Sequence, residues 1–221
     1  MNCNLNDLDG IIFDMDGVIF DSEKVGLESW ERLGEKYGLK NVKENAMKCI
    51  GRSTVDTMKI LEDAYGDKVS IPKLYDEAKE VFAEIISQGG LPLKKGAREL
   101  LVYLYENGVK VGLASSTSYN GVISHLEDAD LRDYFQVIVG GDMIKHSKPE
   151  PDIYLLACEK LGIRSEYTVA IEDSYNGIKS AYRAGMMAIM VPDLIPPTDE
   201  IMSMVYKKMD SLSDVLEYFK K

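Results

Sequence analysis

An α/β fold with a parallel sheet, interrupted after its first strand by a helical insert, is what this sequence predicts. Three observations predict it: five short apolar runs, helix-patterned segments between most of them, and a long stretch from Ser22 to Gly89 without any such run. Apolar runs without alternation suit strands buried on both faces of a parallel sheet. Their alternation with helical segments marks a βαβ series, with helices on both sides of the sheet.

The first run, Gly10-Ile11-Ile12-Phe13, ends in Asp14. Val109 to Ala114 ends in Ser115 and Ser116, and Val137-Ile138-Val139 ends in Gly140-Gly141-Asp142. Val169-Ala170-Ile171 runs into Glu172 and Asp173, and Met187 to Val191 is stopped by Pro192. Helices are expected at Gly96 to Asn107, Asn120 to Asp128, Pro151 to Leu161 and Ser174 to Ala184. A terminal helix follows Ser211, with Asp214 completing a capping box. Inside the insert, Gly26, Trp30, Leu33 and Tyr37 recur at helical spacing. Ser53 with Asp56 reads as another capping box, and Pro72 fits the first turn of a further helix. Glycine and proline punctuate the exit at Gly89-Gly90-Leu91-Pro92. The expected domains are therefore 1–20 with 91–221 as the α/β core, and 21–90 as the helical insert.

Composition narrows the function. The 221 residues are 45% hydrophobic and 29% charged, enough apolar matter for a real core. A net charge of -11 argues against nucleic acid, whose phosphates need a basic face. It does not exclude a small phosphorylated ligand, because exposed charges are screened beyond roughly 8 Å at physiological salt. A divalent cation and one lysine would then set the local field. No apolar run approaches the roughly 20 residues that span a bilayer, so no membrane partner is expected. The polar N-terminus lacks the pattern of a secretory signal, and cytoplasmic residence is the expectation. Cys3, Cys49 and Cys158 are far apart and form neither a disulfide framework nor a zinc motif.

In parallel α/β sheets, sites form beyond the carboxyl ends of the strands. Here those ends carry Asp14, Ser115, Asp142 and Glu172-Asp173, so acids and a hydroxyl from distant parts of the chain are expected to converge. Singly, each has a plain alternative. Asp14-Met15-Asp16-Gly17 suits a turn, Ser115-Ser116 a helix cap, Lys148-Pro149 a solvated loop, and Glu172-Asp173 a helix start. His125 and His146 read as incidental, and Met186-Met187-Met190 as core filling.

Together and in order, these segments resemble the haloacid dehalogenase superfamily, in its branch with a helical cap after the first strand. Asp14-Met15-Asp16-Gly17-Val18-Ile19-Phe20-Asp21-Ser22-Glu23 is similar to its first motif, and Leu113-Ala114-Ser115-Ser116-Thr117 to its second. Ser147-Lys148-Pro149-Glu150-Pro151-Asp152-Ile153-Tyr154 resembles the third. Ile171-Glu172-Asp173-Ser174, followed by Asn176-Gly177-Ile178 and Ala184-Gly185-Met186, resembles the fourth. The resemblance covers nearly the whole chain and implies a Rossmann-like core with an α-helical cap domain.

It also implies a chemistry. A phosphate monoester resists attack by an anion, and its uncatalysed hydrolysis is among the slowest known, with enzymes supplying up to ~10²¹-fold. Asp14 would be the nucleophile, splitting one hard step into two through an aspartyl-phosphate. Asp16 would protonate the leaving oxygen and later take a proton from water. Lys148 would set a positive charge against the nucleophile and the transferring group. Mg²⁺ would be held by Asp14, the backbone carbonyl of Asp16 and Asp173, with Glu172 close by. Ser115 and Ser116 would hold phosphate oxygens, with Asn120 and the insert's Arg52 as further substrate contacts. An acid at Asp16 points to phosphate esters, since dehalogenases and phosphonate hydrolases of the superfamily lack one there.

The expected function is a magnesium-dependent phosphatase of a small phosphorylated metabolite, acting as a monomer. A β-phosphoglucomutase-like mutase is the alternative. Mutases commonly carry a lysine-asparagine pair after the second motif, where this chain has Thr117-Ser118-Tyr119-Asn120, with asparagine but no lysine. A non-catalytic binding protein on the same fold is the reading from another class, and it would require a lost nucleophile, lysine or metal acid. None is lost.

Overall fold

The computed structural model describes residues 5–50 and 54–221. The chain divides into two compact units, residues 1–20 with 93–221, and residues 21–92.

The first unit holds one parallel sheet. Its strands are β1 (Gly10–Phe13), β2 (Val111–Ala114), β3 (Val137–Val139), β4 (Thr168–Glu172), β5 (Met187–Met190) and β6 (Lys207–Lys208), in the spatial order β3-β2-β1-β4-β5-β6. All five pairings are parallel, and Phe13 stands beside Leu113 on one side and Ile171 on the other. Every residue of β1, β2 and β4 is buried, which is why these strands read as continuous apolar runs instead of alternating ones. The sixth strand carries no such signal, being two exposed lysines at the edge of the sheet.

The crossovers are α5 (Ala97–Glu106), α6 (Tyr119–Asp128), α7 (Asp152–Leu161) and α8 (Tyr175–Arg183), followed by the short α9 (Asp199–Met202) and terminal α10 (Leu212–Phe219). On one face, Ile12, Ala114, Val139 and Ala170 meet Ile153, Ala157, Ile178 and Ala181, so α7 and α8 share a single core against the sheet. The N-terminus of α10 is capped as the spacing of Ser211 and Asp214 predicts, with a variation. Asp214 N–H donates to Ser211 Oγ at 3.3 Å, and that hydroxyl itself donates to Asp214 Oδ2 at 2.7 Å.

The regular elements among the second unit's described residues are all helices: α1 (Ser22–Tyr37), α2 (Val42–Cys49), α3 (Thr54–Tyr65) and α4 (Ile71–Ser87). The spacing of Trp30, Leu33 and Tyr37 places them on the face of α1 that joins Leu61, Tyr65, Ile71, Leu74 and Ala78 in the unit's own core. Pro72 sits in the first turn of α4, where its missing N–H has no intrahelical partner to lose. Ser53 lies outside the described residues, and with it half of the capping box expected at α3. Asp21 N–H donates to the Pro92 carbonyl at 2.7 Å, closing the base of this unit.

Candidate active site

The strand order sets where a site can form. β1 lies at the centre, with β2 on one side and β4 on the other, so the chain leaves it towards both halves of the sheet. This is the switch point at which open parallel sheets leave a crevice beyond their carboxyl ends. Asp14 follows β1 directly, Ser115 follows β2, and Glu172 with Asp173 end β4.

Lys148 joins them from the loop before α7. Its ammonium donates to Asp14 Oδ1 at 2.5 Å, to Glu172 Oε1 at 2.7 Å and to the Ala114 carbonyl at 3.0 Å. The lysine side chain is only 6% exposed, so this is a buried ion pair and not a surface one. Among the described residues, Asp14, Glu172 and Asp173 form a group of buried acids whose carboxylate oxygens lie within 4.8 Å of one another. Burial pushes the Asp14 carboxyl up to about 8, Glu172 and Asp16 adding to the rise while Lys148 opposes it. Burial would lower the Lys148 ammonium, yet the charges of Asp14 and Glu172 outweigh it and hold the lysine above its ordinary value. Lys148 is therefore a fixed cation, and the acids around it outnumber it.

Two glycines let the acids approach. Gly17 has φ +76°, and a Cβ there would come within 2.3 Å of Asp173 Oδ2. Gly177, in the first turn of α8, faces Glu172 so closely that a Cβ would lie 1.9 Å from its carboxyl. Both positions need the absence of a side chain for the acids to keep their places.

Asp16 belongs to the same cluster but turns towards the β2 loop. Its Oδ2 accepts from Thr117 Oγ1 at 3.0 Å and from Ser115 Oγ at 3.3 Å. Ser115 is fully buried, and its hydroxyl also accepts from Thr117 N–H at 3.0 Å. The loop after β2 is thus folded around its own serine, with two hydroxyls beside Asp16.

The structure brings together Asp14, Asp16, Ser115, Lys148, Glu172 and Asp173. Ser116 and Asn120 are exposed, and the hydrogen bonds described for the acids come from other residues. Arg52 lies outside the described residues. Asp142 corrects the expectation that every strand-end acid would converge. Its Oδ1 accepts from Tyr119 N–H at 2.7 Å, capping α6 across the loop. A strand end puts a residue on the right edge of the sheet, but the chain's next turn decides where its side chain goes. His125 rests edge-on to Phe20, and His146 Nδ1 pairs with Asp152 at 2.9 Å. Residues that sequence reasoning passed over are Thr117, described above, and Tyr154. The Tyr154 hydroxyl, fully buried, donates to Glu172 Oε1 at 2.6 Å. Both stand inside the quoted motifs, which was the available signal.

The donor set suits a small hard cation. Three buried carboxylates, Asp14, Glu172 and Asp173, cluster beside one ammonium, and burial, with Glu172 and Asp16 adding to it, raises the Asp14 pKa. Carboxylate oxygens without sulfur or imidazole match Mg²⁺ better than zinc or copper.

Comparison with known proteins identifies the family. Residues 11–191 match the family of haloacid dehalogenase-like hydrolases. The chain belongs to that family. Among its relatives is a phosphorylated carbohydrates phosphatase of Thermotoga maritima, 34% identical over 186 residues, which are 82% of this chain and 84% of that protein. Hexitol phosphatase B of Escherichia coli is 33% identical over 146 residues, 65% of this chain and 66% of its own length. Among solved structures of the family, a Thermotoga maritima protein provisionally described as a β-phosphoglucomutase superposes with a TM-score of 0.80. It is 30% identical, and the match covers 96% of this chain and 98% of that one. The parallel-sheet core expected from the apolar runs is the fold that this family shares.

Proposed function

We propose that the chain is a magnesium-dependent phosphatase of small phosphorylated metabolites, sugar phosphates foremost, working through a phosphoryl group carried on Asp14. The observation that carries the reading is the buried Asp14 carboxylate, held 2.5 Å from Lys148 among Glu172 and Asp173. A nucleophile for phosphorus must be oriented, desolvated and shielded from the substrate's charge, and these contacts supply all three.

In this mechanism an Asp14 oxygen forms a bond to phosphorus as the bond to the ester oxygen breaks. The Lys148 ammonium sits against the oxygens on which charge gathers. Asp16 gives its proton to the departing oxygen, and in the second half takes one from the water that cleaves phosphoryl-Asp14. Thr117 and Ser115 hold Asp16 to one rotamer through its Oδ2, leaving Oδ1 for the proton. Asp14 and Asp173 would hold Mg²⁺, with Glu172 adjoining. When bound, the ion supplies the positive charge that lets a carboxylate approach a phosphate.

The choice of sugar phosphates rests on the named activities of the relatives in Thermotoga maritima and Escherichia coli. The mutase reading is favoured by the 30% identical structural neighbour and opposed by the missing lysine after Thr117. The helical unit is read as the cap that selects the substrate. One experiment decides between the chemistries: a panel of sugar phosphates and nucleotides, assayed with and without glucose 1,6-bisphosphate. Release of inorganic phosphate from a sugar phosphate supports the phosphatase. Isomerised sugar phosphate without net release replaces it with the mutase, and an inert chain with no magnesium uptake by calorimetry ends both.

A further inference from the structure

Glu172 is heavily partnered. It is fully buried, and five donors from the chain converge on its two oxygens. Oε1 accepts from Lys148 Nζ at 2.7 Å and from Tyr154 OH at 2.6 Å. Oε2 accepts from Ser174 Oγ at 3.1 Å, Asp173 N–H at 3.2 Å and Ser174 N–H at 3.4 Å. A carboxylate offers about four acceptor positions, so these donors leave none over. Glu172 stands among the residues that could hold a cation, and its hydrogen bonds also tie it to Lys148 and Tyr154. Tyr154 touches that arrangement twice. Its hydroxyl fixes Oε1, and its ring lies 5.0 Å from the Lys148 ammonium, a cation–π contact.

We infer that Tyr154 is a positioning residue: through Glu172 and through its ring it holds the Lys148 ammonium on Asp14. The inference rests on the reading of Asp14 as the phosphoryl acceptor. The physical reason is that a lysine with three acceptors on a flexible stem has several competing geometries. A carboxylate saturated by fixed donors cannot swing, and so it admits one of them. A phenol is suited to this place, since its ring fills core volume beside Ile153 and Ala157 while its hydroxyl reaches the buried charge.

Tyr154→Phe keeps the ring and deletes the hydroxyl. Its effect is read in three ways: steady-state hydrolysis of p-nitrophenyl phosphate, magnesium affinity by calorimetry, and uptake of fluoroberyllate, a phosphoryl mimic, followed by ¹⁹F NMR. Tyr154→Leu, which also removes the ring, is the second variant. The Phe variant should lose about tenfold in kcat, the value of one charge-assisted hydrogen bond. KM and the magnesium Kd should stay within about twofold of wild type, while fluoroberyllate binding weakens about tenfold with kcat. The Leu variant should lose on the order of a hundredfold in kcat, again at nearly constant magnesium affinity. A Phe variant with wild-type kcat and wild-type fluoroberyllate binding overturns the inference. So does a magnesium Kd that moves in step with kcat, which would make the loss a general one. A wild-type chain that takes up magnesium but neither fluoroberyllate nor substrate strikes the underlying reading of Asp14 instead, and the inference falls with it.

Discussion

Replacing Lys148 by methionine tests the electrostatic account of the site most directly. Methionine keeps the length and the apolar stem of lysine, so packing is nearly preserved and the change is in charge. Three bonds are lost, to Asp14, Glu172 and the Ala114 carbonyl. Breaking a buried ion pair from one side typically costs about 3–5 kcal/mol. Two features reduce that figure here. Glu172 retains Tyr154, Asp173 and Ser174 as donors, and Asp14, with its pKa already pushed up to about 8, takes up a proton near neutral pH. A cost of about 2–3 kcal/mol remains, which for a chain of this size lowers Tm by roughly 4–12 °C. Magnesium should respond the other way. A bound Mg²⁺ displaces the proton from Asp14 and no longer meets the lysine charge, so about 4 kcal/mol of repulsion per unit charge at 4 Å is relieved at a surface-like dielectric, offset in part by the cost of deprotonating Asp14. The variant should therefore bind Mg²⁺ at least about tenfold more tightly while kcat falls on the order of 10³-fold. The assay is a thermal melt in EDTA and in millimolar MgCl₂, with calorimetry for the ion. A variant melting within about 2 °C of wild type in EDTA would refute the claim that Lys148 holds the acids together. A magnesium-induced rise in Tm no larger than that of wild type would refute the charge argument.

Asp14→Asn should abolish turnover, on the order of 10⁴-fold or more in kcat, with an unchanged far-ultraviolet circular dichroism spectrum. Retention of a tenth of the wild-type kcat would remove Asp14 as nucleophile. Activity should vanish in EDTA and return with Mg²⁺, and Asp173→Ala should weaken the ion's binding by about tenfold or more, because carboxylates this close repel unless a cation lies among them. A calorimetric titration showing undiminished affinity would withdraw Asp173 as a ligand. Arg52→Ala should impair the preferred sugar phosphate severely and p-nitrophenyl phosphate little; equal losses on both would show that Arg52 is not a specificity contact.

Most of the sheet was legible because its physics is local. β1, β2 and β4 are buried on both faces, and a strand in that setting must be apolar at every position, which leaves a visible mark. The helical insert was legible for the complementary reason, since the face formed by Trp30, Leu33 and Tyr37 repeats at helical spacing. β6 left no mark, because two lysines on an open edge obey only the backbone pairing with β5. Asp142 misled because its position after β3 was right for a site, while the turn through Gly140 and Gly141 aimed its carboxylate at the start of α6.

The amino-acid sequence by itself determined that this protein has a parallel-sheet core with a helical insert, properties that depend on residue type and on spacing along the chain. Its ordered motifs, by their resemblance to a known family, pointed to the acids and the lysine. Only the tertiary structure decided which of them meet. Lys148 and Asp14 are 134 residues apart in sequence and 2.5 Å apart in space because β1 and the β3–α7 loop reach the same crevice. The depth of burial, the saturation of Glu172 by five donors and the role of Tyr154 within it are likewise properties of assembled strands. A pKa near 8 for Asp14 has the same origin, for it measures how much water the folded chain has taken away and which charges it has put in water's place.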